Sequence, residues 1–174
     1  PPPYPCDRTF TSRLDPQKPP VRCVLKLRIP GWAQGKPVPS DLYRYLDGQQ
    51  QQPTLKLNGQ PLPCEPSAGY VSIERQWQSG DTVELVLPMP VRRVAAHPAV
   101  ADCRGKVALQ RGPIVYCVEH PDVPDGKVVN LLLPDDSVLE SRFRADLFGG
   151  VQVIEGHAHS TRYEKTPDGG KRVV

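Results

Sequence analysis

Apolar and polar positions alternate across Val21–Ile29. Val21, Cys23, Leu25, Leu27 and Ile29 share one face, and Arg22, Lys26 and Arg28 lie on the other. This is the period-2 signature of a half-buried antiparallel strand. Pro30-Gly31 ends it. Leu55 and Leu57 start a second strand, closed by Asn58-Gly59, the strongest short hairpin signal because both central positions of a type I′ turn need positive φ. Gly69 to Glu74, with Val71 and Ile73 inward, reads as the returning strand. Val83, Leu85 and Leu87 then face the same core until Pro88 stops the run. Further along, residues 114–118 are apolar on consecutive positions, too few for a globular helix and rich in β-branched and aromatic side chains. That pattern predicts a strand covered on both faces, entered through the sharp Arg111-Gly-Pro113 step.

Residues 34–53 interrupt the first set of strands with a long insertion carrying Leu42, Tyr43, Tyr45 and a run of four Gln. Loops of this length are uncommon and often functional or disordered. Ser40-Asp41 offers the cap for one short helical turn, and the Gln run reads as mobile. Ala95-Ala-His-Pro98 reads as a joint. Beyond it, strands are expected at 106–110, 113–119, 128–133 and 151–154, with a last one at Lys171–Val174. Residues 138–148 fit neither the strand nor the helix period. The expected architecture is all-β, two small antiparallel β-sandwich units in tandem: residues 1–95 with the 34–53 insertion, and a smaller β unit over 96–174.

Composition agrees with this. The 174 residues include 22 Pro and 14 Gly, about a fifth of the chain, which disfavours long helices. The formal net charge is +3, but the basic residues are scattered, with no stripe interleaved with aromatics of the kind nucleic acid selects. No apolar run approaches the roughly 20 residues a membrane helix needs. Neither nucleic acid nor membrane is expected as a partner. The Pro1-Pro-Pro-Tyr-Pro5 start, without Met, reads as a cut from a longer protein, so the compartment stays unknown. Five cysteines form an odd, widely spaced set unlike a disulfide scaffold. Cys23 and Cys117 fall inside strand patterns and are expected as small buried side chains.

Candidate chemistry is sparse. Glycoside hydrolysis usually needs two carboxyl groups roughly 5–9 Å apart, yet the acids fall at loop tips (Asp47, Asp125, Asp135, Asp136) or on outer strand faces (Glu74, Glu84). Cys117 and His120 would point to opposite faces of a strand, which is wrong for shared coordination together with Cys103. His157 and His159 share a face but lie in a polar tail. No catalytic, cofactor-binding or metal residue is therefore assigned. Trp32, Tyr43 and Tyr45 are the candidates for contact, either with a sugar or with another domain.

Several motifs fall in order along the chain: Tyr4-Pro-Cys-Asp7, Leu27-Arg-Ile-Pro-Gly-Trp-Ala33, Val38-Pro-Ser-Asp-Leu-Tyr-Arg-Tyr45, Leu57-Asn-Gly59, Gly69-Tyr-Val71, Trp77-Gln-Ser-Gly-Asp81 and Arg104-Gly-Lys-Val-Ala-Leu-Gln-Arg-Gly-Pro-Ile-Val-Tyr-Cys117. The series resembles the C-terminal part of glycoside hydrolase family 127, the β-L-arabinofuranosidase-like proteins. One departure is Tyr4-Pro-Cys-Asp-Arg8, where family members commonly show Tyr-Pro-Trp-Asp-Gly. The resemblance implies an α/α catalytic barrel, absent from this chain, with a zinc-held cysteine nucleophile and a glutamate. It also implies that this chain is the non-catalytic β-sandwich portion supporting that barrel. None of the five cysteines matches the family's catalytic motif. The chain is thus expected to have no cofactor and no activity of its own, and zinc belongs to the absent domain. The rival reading is an autonomous carbohydrate-binding module.

Overall fold

The computed structural model describes residues 8–16, 20–48, 51–123, 127–161, 163–167 and 171–173. It is all-β, with antiparallel pairing in the ladders whose register the described residues define, and it falls into two compact units, 1–115 and 116–174.

The first unit is built from β1 (Thr9–Arg13), β2 (Val21–Arg28), β3 (Tyr43–Tyr45), β4 (Thr54–Leu57), β5 (Gln60–Leu62), β6 (Tyr70–Trp77), β7 (Thr82–Val86), β8 (Val91–Ala96) and β9 (Ala108–Arg111), with β10 (Ile114–Tyr116) running across the division between units. One sheet has the order β1-β7-β4-β5, and β2 pairs with β6. Leu55, Val83 and Leu85 from that sheet meet Ile29, Val71 and Trp77 from the β2–β6 side in a common core with Ala33 and Leu87. The inward sets at 71–73 and 83–87 are as alternation predicts. Trp77 is 2% exposed and donates its indole N–H to the Cys23 carbonyl at 3.1 Å, so its one polar atom is satisfied inside the core.

Asn58 and Gly59 take φ of 50° and 81°, and the chain turns at once into β5, with Leu55 opposite Leu62. The return strand is therefore residues 60–62 rather than 69–74. A two-residue turn leaves no room for a longer excursion, and Pro63, which has no N–H, ends the ladder. Residues 70–77 pair instead with β2, Leu27 opposite Val71 and Val21 opposite Trp77. Asn58 also braces the start of β7. Its side chain accepts from the Thr82 N–H at 2.8 Å and donates to the buried Asp81 carboxylate at 2.7 Å. Asp81 further accepts from the Gln78 N–H at 2.9 Å.

The second sheet has the order β10-β9-β8-β3. Its edge strand β3 comes from the 34–53 insertion, where a short helical turn at Ser40-Asp41 is expected. The structure has bends there instead, with the Ser40 hydroxyl accepting from the Leu42 N–H at 3.3 Å. Gln49 and Gln50 lie outside the described residues. At the opposite edge, the 114–118 run departs from its expected cover on both faces. Only 114–116 form a strand, Val115 and Val118 are 64% and 47% exposed, and Cys117 and Cys23 are exposed thiols. An edge position accounts for this: β10 alternates, with Ile114 half-buried and Val115 facing out.

Among the described residues, the second unit has three two-stranded ladders. β11 (Leu131–Leu132) pairs with β14 (His159–Ser160), β12 (Leu139–Arg144) with β13 (Val151–Gly156), and β15 (Tyr163–Lys165) with β16 (Lys171–Val173). The strand expected at 128–133 opens as a 3₁₀ turn over Val128–Asn130, leaving only two residues to pair. The ambiguous 138–148 segment resolves into β12 and a tight turn. The Gly150 N–H bonds the Leu147 carbonyl at 2.7 Å, and Phe148 and Gly149 have φ of 49° and 77°.

Candidate contact site

Pro30 at ψ 155° ends β2 in extended backbone, and residues Gly31–Gln34 then coil into one 3₁₀ turn. Gly35, at φ 79°, closes that turn, and the Lys36 N–H returns to the Gly31 carbonyl at 2.9 Å. Gln34 ties the turn back to the strand by donating to the Ile29 carbonyl at 2.6 Å. Ala33 is thereby driven into the core, and Trp32 packs half-buried against its margin.

Tyr43 and Tyr45 lie two apart on β3 and so share a face. They are opposite Ala96 and Val94 of β8, while Arg92 lies opposite Gln110 of β9. The face thus collects Tyr43, Tyr45, Arg92 and Gln110. The Arg92 guanidinium lies 3.5 Å from the centre of the Tyr45 ring. It also grips Asp47, with Nε at 2.9 and 3.1 Å from the two carboxylate oxygens and Nη2 at 3.1 Å from the backbone carbonyl. The Tyr45 hydroxyl donates to Gln110 Oε1 at 3.1 Å, and the Gln110 amide donates to the Gly112 carbonyl at 2.9 Å. Burial raises the Tyr45 pKa above its ordinary value of 10, with Asp47 adding to the effect and Arg92 opposing it. The phenol is neutral at physiological pH and holds its proton for Gln110.

Trp32 and Tyr45 come together with Pro90, Arg92, Gln110 and Gly112 around a cleft of about 10 Å³. That is room for one water. Tyr43 is not among the residues lining it; it stands 36% exposed beside Leu42 and Leu46, each 44% exposed. Asp47, read from sequence as a solvated loop acid, is instead the counter-ion of a buried arginine. Arg92, Gln110 and Asp47 escape sequence reasoning because their link is cross-strand register. The alternation of Arg92 and Val94 along β8 was the available signal, hidden by a basic residue on the buried face.

Among the described residues, no three of His, Cys, Asp and Glu come together as metal ligands. Zinc takes three or four such ligands, so the described residues do not fit it. No described helix is long and apolar enough to cross a membrane.

The family model for the β-L-arabinofuranosidase GH127 middle domain matches residues 3–89, and that for the glycoside hydrolase family 127 C-terminal domain matches residues 91–165. The non-reducing end β-L-arabinofuranosidase of Bifidobacterium longum subsp. longum is 36% identical over 136 residues, covering 74% of this chain and 18% of that protein. A solved GH127 β-arabinofuranosidase superposes with a TM-score of 0.88 at 34% identity, covering 98% of this chain and 26% of that one. The GH127 β-L-arabinofuranosidase Ara127N of Geobacillus stearothermophilus T6 gives 0.79 at 37%, covering 98% and 25%. The chain thus spans between 18% and 26% of the length of these three relatives.

Proposed function

The chain belongs to glycoside hydrolase family 127, as its middle and C-terminal domains, and from that premise we propose that it serves as the supporting β portion of a longer glycoside hydrolase acting on β-L-arabinofuranosides. The observation that carries this reading is the collinear match of two non-catalytic family domains over 3–165, in a chain that covers a quarter or less of two of its relatives. The catalytic groups, and any zinc they use, belong to the remainder of that longer protein. Its helical barrel is the partner for which this chain is shaped.

The contact with that barrel falls to Leu42, Tyr43, Leu46 and the open side of Trp32. Tyr45 is already held by Arg92 and Gln110, whereas Leu42, Tyr43 and Leu46, close in sequence along the insertion, expose apolar surface of the kind that a neighbouring domain covers. The sugar-binding alternative is less well supported, because the cleft between Trp32 and Tyr45 has room for a water and not for a sugar ring.

The test is an assay of the 174-residue chain beside the full product of its gene. The full product is expected to hydrolyse an aryl β-L-arabinofuranoside, and the chain alone is expected to be inert with or without added zinc. Saturable hydrolysis by the repurified chain would sink the reading, as would a full product lacking activity.

A further inference from the structure

Asn58-Gly59 joins a side-chain amide to a backbone nitrogen that can attack it, and glycine puts no Cβ in the way of its own nitrogen. The chain has one other asparagine, Asn130, which is followed by the bulkier Leu131. Both turn residues are exposed, and the space a Cβ on Gly59 would fill is open to 4 Å, so solvent reaches the reacting atoms. The Asn58 side chain is nevertheless fixed at both ends. Its Oδ1 accepts from the Thr82 N–H at 2.8 Å, and its Nδ2 donates to Asp81 Oδ1 at 2.7 Å. The Asn58 N–H also bonds the Thr82 carbonyl at 2.8 Å, so backbone and side chain are both tied to the start of β7. The two residues are held at φ 50° and 81°, and the ladder beside them pairs Leu57 with Gln60. For the Gly59 nitrogen to close on Asn58 Cγ, the amide has to leave Thr82 and Asp81 and the turn has to rotate out of its left-handed conformation. Neither motion is open while these hydrogen bonds stand.

We propose that Asn58 is a site of spontaneous covalent modification, closed by its hydrogen bonds in the folded first unit and opened whenever the 58–59 turn detaches from the start of β7. The Gly59 nitrogen, giving its proton to hydroxide, bonds to Asn58 Cγ. The Cγ–Nδ2 bond breaks, and that nitrogen takes up a proton from water and leaves as ammonia. A water molecule then opens the cyclic imide at either carbonyl, leaving aspartate or isoaspartate at position 58. Nothing is oxidised or reduced. The change runs one way, because the product cannot rebuild the contact. A carboxylate has no N–H for Asp81, and it would face a carboxylate that is 7% exposed, where like charges repel with little solvent between them. Arg75, whose guanidinium is 3.7 Å from Asp81 Oδ2, would then face two acids. Isoaspartate also lengthens the backbone of a turn whose size is set by the Leu57–Gln60 pair. The modified fraction therefore records how long the first unit has spent with this turn open.

The experiment follows Asn58 and Asn130 by peptide mass mapping of the full gene product held at mildly alkaline pH, in buffer and in urea, with the aspartate and isoaspartate forms separated by chromatography. In urea, Asn58 is expected to convert about tenfold or more faster than Asn130, and about tenfold or more faster than Asn58 does in buffer. Equal rates for Asn58 in buffer and in urea would overturn the proposal, and so would a rate in urea no higher than that of Asn130. Asp81→Ala removes the acceptor for Nδ2 and is expected to speed conversion severalfold in buffer. An unchanged rate in a variant that keeps its β-type circular dichroism would sink the role given to the hydrogen bonds. Should Asp81→Ala not fold, the comparison of buffer with urea in the wild type still decides that role. Asn58→Asp reproduces one product directly and is expected to melt several degrees below wild type. A melting temperature equal to that of wild type would show that conversion leaves the turn intact, and the one-way step would fall. These outcomes are the same whether or not the gene product is longer than this chain, so they leave the functional reading to its own test.

Discussion

Residues 1–115 and 116–174 are both antiparallel β structure, but different forces hold them. The first unit closes two layers over a core that includes Ile29, Leu55 and Val83, each 2% exposed or less. In the second, Val123 is the one buried hydrophobic among the described residues, while Val129, Val138 and Leu132 are 94%, 71% and 57% exposed. Two-stranded ladders without an apolar face are marginal by themselves. The polar cross-strand contacts of β12 and β13 include a Ser141–Gln152 hydrogen bond of 2.9 Å and an exposed Arg142–Glu155 pair at 3.6 Å, and exposed pairs contribute little. The same secondary structure is secured by burial in one unit and by backbone pairing in the other.

The sharpest way to break this contrast is to empty one site in each unit. Trp77→Ala removes a side chain that is 2% exposed and orphans the Cys23 carbonyl it caps. The expected loss is about 3–5 kcal/mol, read as a lower urea midpoint at an unchanged slope. Val138→Ala, at a residue 71% exposed, is expected to stay within about 0.5 kcal/mol of wild type. Comparable losses at the two positions would show that the second unit hides a core of its own.

Acid unfolding sharpens the comparison with a smaller effect, because each unit contains an aspartate with a lowered pKa. The Gln78 N–H and the Asn58 amide hold Asp81 below its ordinary value of 3.8. In the second unit, the Arg144 guanidinium holds Asp146 at about 2. A carboxyl with a depressed folded-state pKa adds stability at pH above its unfolded value, and that contribution disappears as the pH falls through the folded value. Both contributions are therefore present above about pH 4 and are lost below it. Asp81 is buried and braces the turns at 58–59 and 78–81, so Asp81→Asn should flatten the acid limb of the melting curve against pH. Asp146 stands 62% exposed beside Arg144, so Asp146→Asn should leave that limb almost unchanged. A larger effect at Asp146 would reverse the assignment.

Burial also decides how much of the molecule is legible in its sequence. Val83, Leu85 and Leu87 can be placed because one face of β7 meets the core, and the period-2 signal is the imprint of that contact. Residues 138–148 cannot be placed, because β12 has no face consistently inside and its burial runs from half-buried Leu139 through exposed positions to half-buried Arg144. The pairing of residues 70–77 with β2 depends on register between strands some forty residues apart, which no local pattern encodes. The contact site divides in the same way. Trp32, Tyr43 and Tyr45 stand out by residue type, whereas Arg92, Asp47 and Gln110 matter through a fold that brings distant positions within 3 Å or so. Arg111 looks in the sequence like part of a turn motif, and the burial of its Nε and Nη1 without a hydrogen-bond partner is visible only in the folded chain.

The smallest expected effect concerns two turns that both hold a non-glycine residue at positive φ. Asn58-Gly59 places two successive residues at positive φ between paired strands, and Phe148-Gly149-Gly150 places three. Asn tolerates that region, whereas a residue with a bulky side chain is strained there by roughly 1–2 kcal/mol. Phe148 gains nothing in exchange within its own unit, since its ring is 97% exposed. Phe148→Asn should therefore stabilise the β12–β13 hairpin by up to about 1 kcal/mol, seen as slower amide exchange at Phe143 and Gln152, which face each other across the ladder. Exchange in β7 should not change. The reciprocal change, Asn58→Phe, introduces the same strain and also removes the amide that joins Thr82 and Asp81, so it should cost more than Phe148→Asn returns. Faster exchange at Phe143 and Gln152 in Phe148→Asn would show that the ring packs in solution and that the turn is held by more than its backbone.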